Sequence, residues 1–97
     1  MLKLLKISGD SLSPDYQNGD FVMISKIPFL FFPPSSGDVI AFRQPGYGLL
    51  IKRIQKINPG GEVIVIGSHP ESVDSHVFGP VKKENILGKV FWHIRKN

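Results

Sequence analysis

Cysteine is absent from this 97-residue chain, and with it go disulfides, thiolate zinc sites and thiol nucleophiles. Long apolar runs are missing too. The longest, residues 27–34 (IPFLFFPP), falls well short of the ~20 residues a membrane span needs and is broken by proline. The opening MLKLLKI has neither the long apolar core nor the small-residue cleavage site of a signal peptide. These absences predict a soluble, cytoplasmic protein with no transmembrane segment, whose contact with a membrane is peripheral at most. The three histidines, His69, His76 and His93, are scattered and have no cysteine beside them, a poor metal set, so no metal or cofactor is expected. Acid is scarce: eight Asp and Glu against twelve Lys and Arg leave a net charge of +4. Such a surface favours acidic partners or anionic lipid without marking a nucleic-acid binder, and no nucleic-acid partner is expected.

What is present fits one small domain spanning residues 1–97, because a chain of this length can enclose a single core. Ten glycines, eight prolines and frequent β-branched residues argue for short strands joined by tight turns, with little helix. The predicted fold class is mainly β: a coiled antiparallel sheet or a partly open small β-barrel. Gly-Asp occurs at 9–10, 19–20 and 37–38, and the last two lead into the apolar runs 21–26 and 39–42, as turns feeding strands do.

Between those strands lies Pro28-Phe29-Leu30-Phe31-Phe32-Pro33-Pro34. Its prolines deny a regular ladder while its apolar side chains demand burial or a partner. The Phe29–Phe32 loop either folds onto the core or forms a lip that touches substrate or a membrane surface. Residues 49–58 form the longest strand candidate. By alternation, Leu50, Lys52, Ile54 and Lys56 share one face. The turn Asn58-Pro59-Gly60-Gly61 leads back into a partner strand over 62–67. Residues 68–80 read as a loop in which Ser72, Asp74, Ser75 and His76 crowd into five positions. Residues 83–88 suit one helical turn or a tight bend, and 89–95 a closing strand.

The hydroxyl-rich turn Ser8-Gly9-Asp10-Ser11-Leu12-Ser13-Pro14 supplies a candidate nucleophile in Ser11. A serine hydroxyl is weak until a base takes its proton. A carboxylate, or a histidine oriented by Asp74, is a candidate base. A neutral lysine is the third, and it makes the harder demand: lowering its pKa from ~10.4 toward ~7 costs roughly 4–5 kcal/mol, usually imposed by apolar burial. Lys52, between Leu50 and Ile54, has the best such surroundings. Lys26 ends a strand and Lys56 neighbours a turn.

Taken together, residues 9–14 with Asn18-Gly19-Asp20, then Gly37-Asp38-Val39-Ile40, then Ile51-Lys52-Arg53-Ile54, then Gly67 and residues 72–81 (SVDSHVFGPV) resemble the successive boxes of type I signal peptidases. That superfamily of Ser/Lys serine peptidases also contains the LexA-type self-cleaving repressors. The resemblance runs in order from about residue 8 to Val90. It implies Ser11 as nucleophile, with its backbone N–H in the oxyanion site, Lys52 as general base, Ser72 as the hydroxyl that orients the lysine, and Asp74 as a supporting acid. Leu12 stands for the usual methionine, and Ser68-His69 for the usual Asp-Asn. Gly9 stands where some members place a second oxyanion serine, and His76 replaces an arginine that would pair with Asp74.

The implied activity is that of a serine endopeptidase removing an N-terminal leader or signal-type peptide from a protein precursor. Within the superfamily the chain is most similar to the small peptidases that mature nickel superoxide dismutase, which share the run Asp-Ser-x-x-Phe-Gly-Pro-Val. The short stretch before Ser11 points away from self-cleavage. The alternative reading is a non-catalytic small β-barrel module that binds peptide, lipid or nucleic acid through its basic surface and the Phe29–Phe32 loop.

Overall fold

The computed structural model describes residues 2–7, 16–67 and 73–95. Among them the dominant element is one six-stranded antiparallel sheet in the order β1-β2-β6-β3-β4-β5. The strands are β1 (Leu2–Lys6), β2 (Phe21–Ser25), β3 (Val39–Gln44), β4 (Gly48–Ile57), β5 (Val63–Ile66) and β6 (Ile86–Ile94). The expected mainly β class is thus observed, as an open, coiled sheet. Single helical turns occur at α1 (Pro28–Phe31) and α2 (Ser75–Phe78), and a 3-10 turn at Lys83–Asn85 precedes β6.

Coiling has a local cause. Register shifts between Met23 and Ile24, Ala41 and Phe42, and Ile54 and Lys56 interrupt three of the ladders, and an extra residue on one strand bends it and raises its twist. The coiled sheet carries a core on each face. Ile7, Val22, Ile24, Val39, Ala41 and Val90 pack on one. Ile40, Phe42, Ile54, Val63, Val65, Val81 and Ile86 pack on the other. β3 is central, so Val39 through Phe42 are all buried, with successive side chains serving opposite cores.

The two Gly-Asp turns are the same device used twice. Gly19 and Gly37 both take positive φ (93° and 96°), which glycine adopts without a Cβ penalty. In each turn the aspartate N–H donates to the carbonyl three residues back, Asp20 to Gln17 at 3.0 Å and Asp38 to Ser35 at 3.1 Å. Each carboxylate in turn accepts from that same residue's N–H at 3.0 Å. Both aspartates then reach a cation-forming side chain on β6: Asp20 pairs with His93 and Asp38 with Lys89.

Several expectations needed correction in detail. β6 begins at Ile86, three residues before the expected Lys89, because the 3-10 turn delivers the chain directly onto β3. The aromatic loop contains a helical turn started by Pro28 at its first position. Phe29 packs against the second core, whereas Leu30, Phe31 and Phe32 stand exposed. The expected 68–80 loop contains α2. Lys56 does not share the Lys52 face: Gln55 is skipped where Ile54 pairs with Val65 and Lys56 with Ile64, so the bulge ends the alternation. Among the described residues, no helix is long and apolar enough to cross a membrane.

Candidate functional site

Lys52 sits near the middle of β4, opposite Ile40 of β3, with Leu50 and Ile54 on its own face. Ile40, Leu50 and Ile54 all belong to the second core, so the strand pattern that buries them carries the lysine in with them. Only 4% of Lys52 is exposed, while Lys26 and Lys56 are exposed. Burial lowers the Lys52 pKa from the ordinary lysine value, and the Asp74 carboxylate partly opposes that by favouring the ammonium form. Desolvation is the larger effect, so the neutral amine is more accessible here than in an exposed lysine.

Asp74 reaches this site from a different part of the chain. It caps α2 by accepting the N–H of His76 at 2.9 Å, accepts the Gly67 N–H at 3.1 Å, and meets His76 Nδ1 at 3.0 Å. Burial pushes its carboxyl up, but the His76 and Gly67 amides and the His76 imidazole together hold it below the usual carboxylate value. Asp74 is therefore a fixed anion at neutral pH. His76 does meet the acid that an arginine meets in the resembled family, although its ring lies mostly in solvent.

The segment carrying Asp74 is laid along β5, an edge of the sheet. The Val63 N–H donates to the Val81 carbonyl at 2.9 Å, the Val65 N–H to Ser75 Oγ at 2.9 Å and the Gly67 N–H to Asp74 Oδ2 at 3.1 Å. Alternate amides of one edge are thus satisfied in sequence by backbone, hydroxyl and carboxylate. Phe78 anchors the far end, with ring centroids 6.1 Å from Phe42 and 5.7 Å from Tyr47. Asp74 and Ser75 thus close a sheet edge, and the Asp74 carboxylate is near enough to Lys52 to act on it electrostatically.

Of the site residues read from sequence, Lys52 and Asp74 are brought together. Ser11, with its backbone N–H, and Ser72 lie outside the described residues, as do Gly9, Leu12 and His69. His93, one of the scattered histidines, has its Nε2 2.7 Å from Asp20 Oδ2, and its ring stacks on Tyr16 with centroids 4.4 Å apart. Nothing in the local sequence signals a contact across 73 positions; the only hint was the Gly-Asp turn itself. Among the described residues no His, Cys, Asp and Glu group could hold a metal ion.

Similarity to known proteins bears on the same stretch. The chain resembles the protein named probable signal peptidase I-1 of Synechocystis sp., with 28% identity over an alignment 128 positions long that covers 84% of this chain and 65% of the relative. It therefore spans less than two thirds of that relative's length. A family model described as Peptidase S24-like matches residues 1–91, nearly the whole sheet and all four segments that resemble peptidase boxes, and the chain belongs to that family.

Proposed function

We propose that this protein is a serine endopeptidase that removes an N-terminal leader or signal-type peptide from a protein precursor, with residues 1–97 forming its single catalytic domain. The observation that carries the reading is the buried, pKa-lowered Lys52 at the position where the resemblance to Ser/Lys peptidases implies the base. A lysine buried at 4% exposure is rare without a function or a close partner.

In the proposed mechanism neutral Lys52 accepts the Ser11 hydroxyl proton as Oγ attacks the scissile carbonyl. The Ser11 backbone N–H stabilises the oxyanion. The C–N bond breaks as Lys52 returns the proton to the leaving amine. A water molecule then gives a proton to Lys52 as it attacks the acyl-enzyme, and Lys52 passes that proton to Ser11 Oγ as the ester C–O bond breaks, releasing the acid product and restoring Ser11 and neutral Lys52. Ser72 orients the lysine, and Asp74 biases its charge. No cofactor enters these steps.

The substrate we infer is a leader-bearing precursor, and the shared Asp-Ser-x-x-Phe-Gly-Pro-Val run favours that of nickel superoxide dismutase. Incubating the purified protein with that precursor is expected to yield a trimmed N-terminus by mass spectrometry, with Ser11→Ala and Lys52→Ala inactive. An intact precursor refutes this substrate. Cleavage undiminished in both variants refutes the dyad.

One observation favours a second reading, a non-catalytic module that binds lipid or peptide. Leu30, Phe31 and Phe32 are 77%, 75% and 74% exposed, on a protein with net charge +4. The same exposed turn would also serve a peptidase by docking it beside a membrane-held substrate, and binding without any cleavage by the wild type would favour the module.

A further inference from the structure

The chain enters the segment containing Ser11 after Ile7 and leaves it at Tyr16. The two sides meet just beyond those points. The Ile7 N–H donates to the Asp20 carbonyl at 2.7 Å, and the Gly19 N–H donates to the Ile7 carbonyl at 2.8 Å. Asp20 is the hub of this neck, since its N–H is held by Gln17 O and its carboxylate accepts from the Gln17 N–H. His93 completes the neck from β6. A carboxylate can only accept, so His93 Nε2 carries the proton in the 2.7 Å contact to Asp20 Oδ2. Tyr16 stacks on the other side of the imidazole at an interplanar angle of 23°.

Comparison with the twin turn shows what is special here. At residues 35–38 the same Gly-Asp geometry closes with a carboxylate paired to Lys89 at 3.4 Å, and the Lys89 side chain is 34% exposed. The turn itself therefore does not require a buried partner. At residues 17–20 the partners are far more enclosed, with side chains 18% and 4% exposed for His93 and Asp20. Burying such a pair carries a desolvation penalty, and an aromatic ring is stacked over it as well. What distinguishes this turn is that it closes the neck of the segment bearing Ser11.

The geometry points to His93 as a positioning residue for the nucleophile: through Asp20 it fixes the neck from which the Ser11 segment is presented. The inference rests on the peptidase reading above for its catalytic consequence, but the neck itself is measurable without any substrate.

The test uses the full chain with His93→Phe, which keeps a ring to stack on Tyr16 but loses the donor, and His93→Gln, whose amide N–H can replace Nε2–H. Two readouts are paired: kcat and KM on a leader-bearing peptide, and amide hydrogen exchange at Ile7 and Gly19. His93→Phe is expected to lower kcat on the order of 10-fold or more with little change in KM, since small misplacements of a reacting group have effects of that size. Ile7 and Gly19 are expected to lose protection while Ile54 and Val65 keep it. His93→Gln is expected to restore both readouts. Wild-type kcat in His93→Phe, unchanged protection at Ile7 and Gly19, or a His93→Gln no better than His93→Phe would each overturn the inference. A wild-type protein that cleaves no leader-bearing peptide overturns the peptidase reading and the catalytic role with it, while exchange at Ile7 and Gly19 still decides whether His93 holds the neck.

Discussion

Lys52 and Ile40 face each other across β4 and β3 with 4% and 0% exposure, a potential cation paired with a core aliphatic. The pairing makes the charge state of Lys52 a property of the fold. Because burial lowers its folded pKa below the ordinary value of 10.5, the unfolded chain binds more protons than the native one between those two values. Stability from this group therefore rises as pH increases through that window toward 10.5. Urea unfolding across neutral to alkaline pH is expected to show this rise in the wild type. Lys52→Met, which removes the buried ionisable group but keeps its length, should lack it and be more stable at neutral pH. By the same proton balance, peptidase activity should fall as pH drops and Lys52 becomes protonated; an acidic optimum would rule out lysine as the base.

Replacing Asp74 separates structure from electrostatics. Asp74→Asn keeps the shape but cannot accept with both oxygens at once, so the bonds from Gly67, His76 N–H and His76 Nδ1 cannot all survive. A loss of about 1–3 kcal/mol is expected in urea unfolding at neutral pH. Since the wild-type carboxyl is held below its usual value, its stabilising contribution is present above that value and disappears as pH falls through the folded pKa. The difference between variant and wild type should therefore narrow in acid. The acid limb of activity should also move to lower pH, because the anion that raises the Lys52 pKa is gone.

Gly88 of β6 lies against the backbone of Ser25 in β2. A Cβ there would lie 2.9–3.0 Å from backbone atoms of Ser25, and a backbone cannot swing aside as a flexible side chain can. Gly88→Ala is expected to destabilise by about 1–3 kcal/mol, the usual range for overpacking. Chemical denaturation checks it directly, and an unchanged midpoint would show that the two strands can separate at little cost.

The exposed aromatic turn gives the opposite pattern. Phe31→Ser with Phe32→Ser removes no buried contact, so stability should change by less than about 0.5 kcal/mol. Co-sedimentation with vesicles containing phosphatidylglycerol should fall several-fold if this turn enters the interface. Equal sedimentation of variant and wild type would remove the turn from membrane contact.

Much of this architecture was legible in the sequence because its devices are local. Alternation placed Leu50, Lys52 and Ile54 on one strand face, and two Gly-Asp pairs marked turns into strands. The N-terminal MLKLLKI gave no strand signal, since Leu2 and Leu4 lie on an exposed face and the strand exists by pairing with β2. Alternation also failed at Lys56, where an extra residue of β4, Gln55, bulges out of the pairing with β5 and ends the period-two pattern.

By itself, then, the sequence determined which lysine would be buried, because period-two patterning carries a side chain inward together with its apolar neighbours whatever the strand order. Only the tertiary structure decided the charges around it. Asp74 comes near Lys52 because its segment seals the β5 edge, and His93 finds Asp20 because antiparallel pairing of β2 with β6 sets Val22 opposite His93. Contacts between positions far apart in the chain depend on strand order and register, which residue-by-residue patterning does not encode.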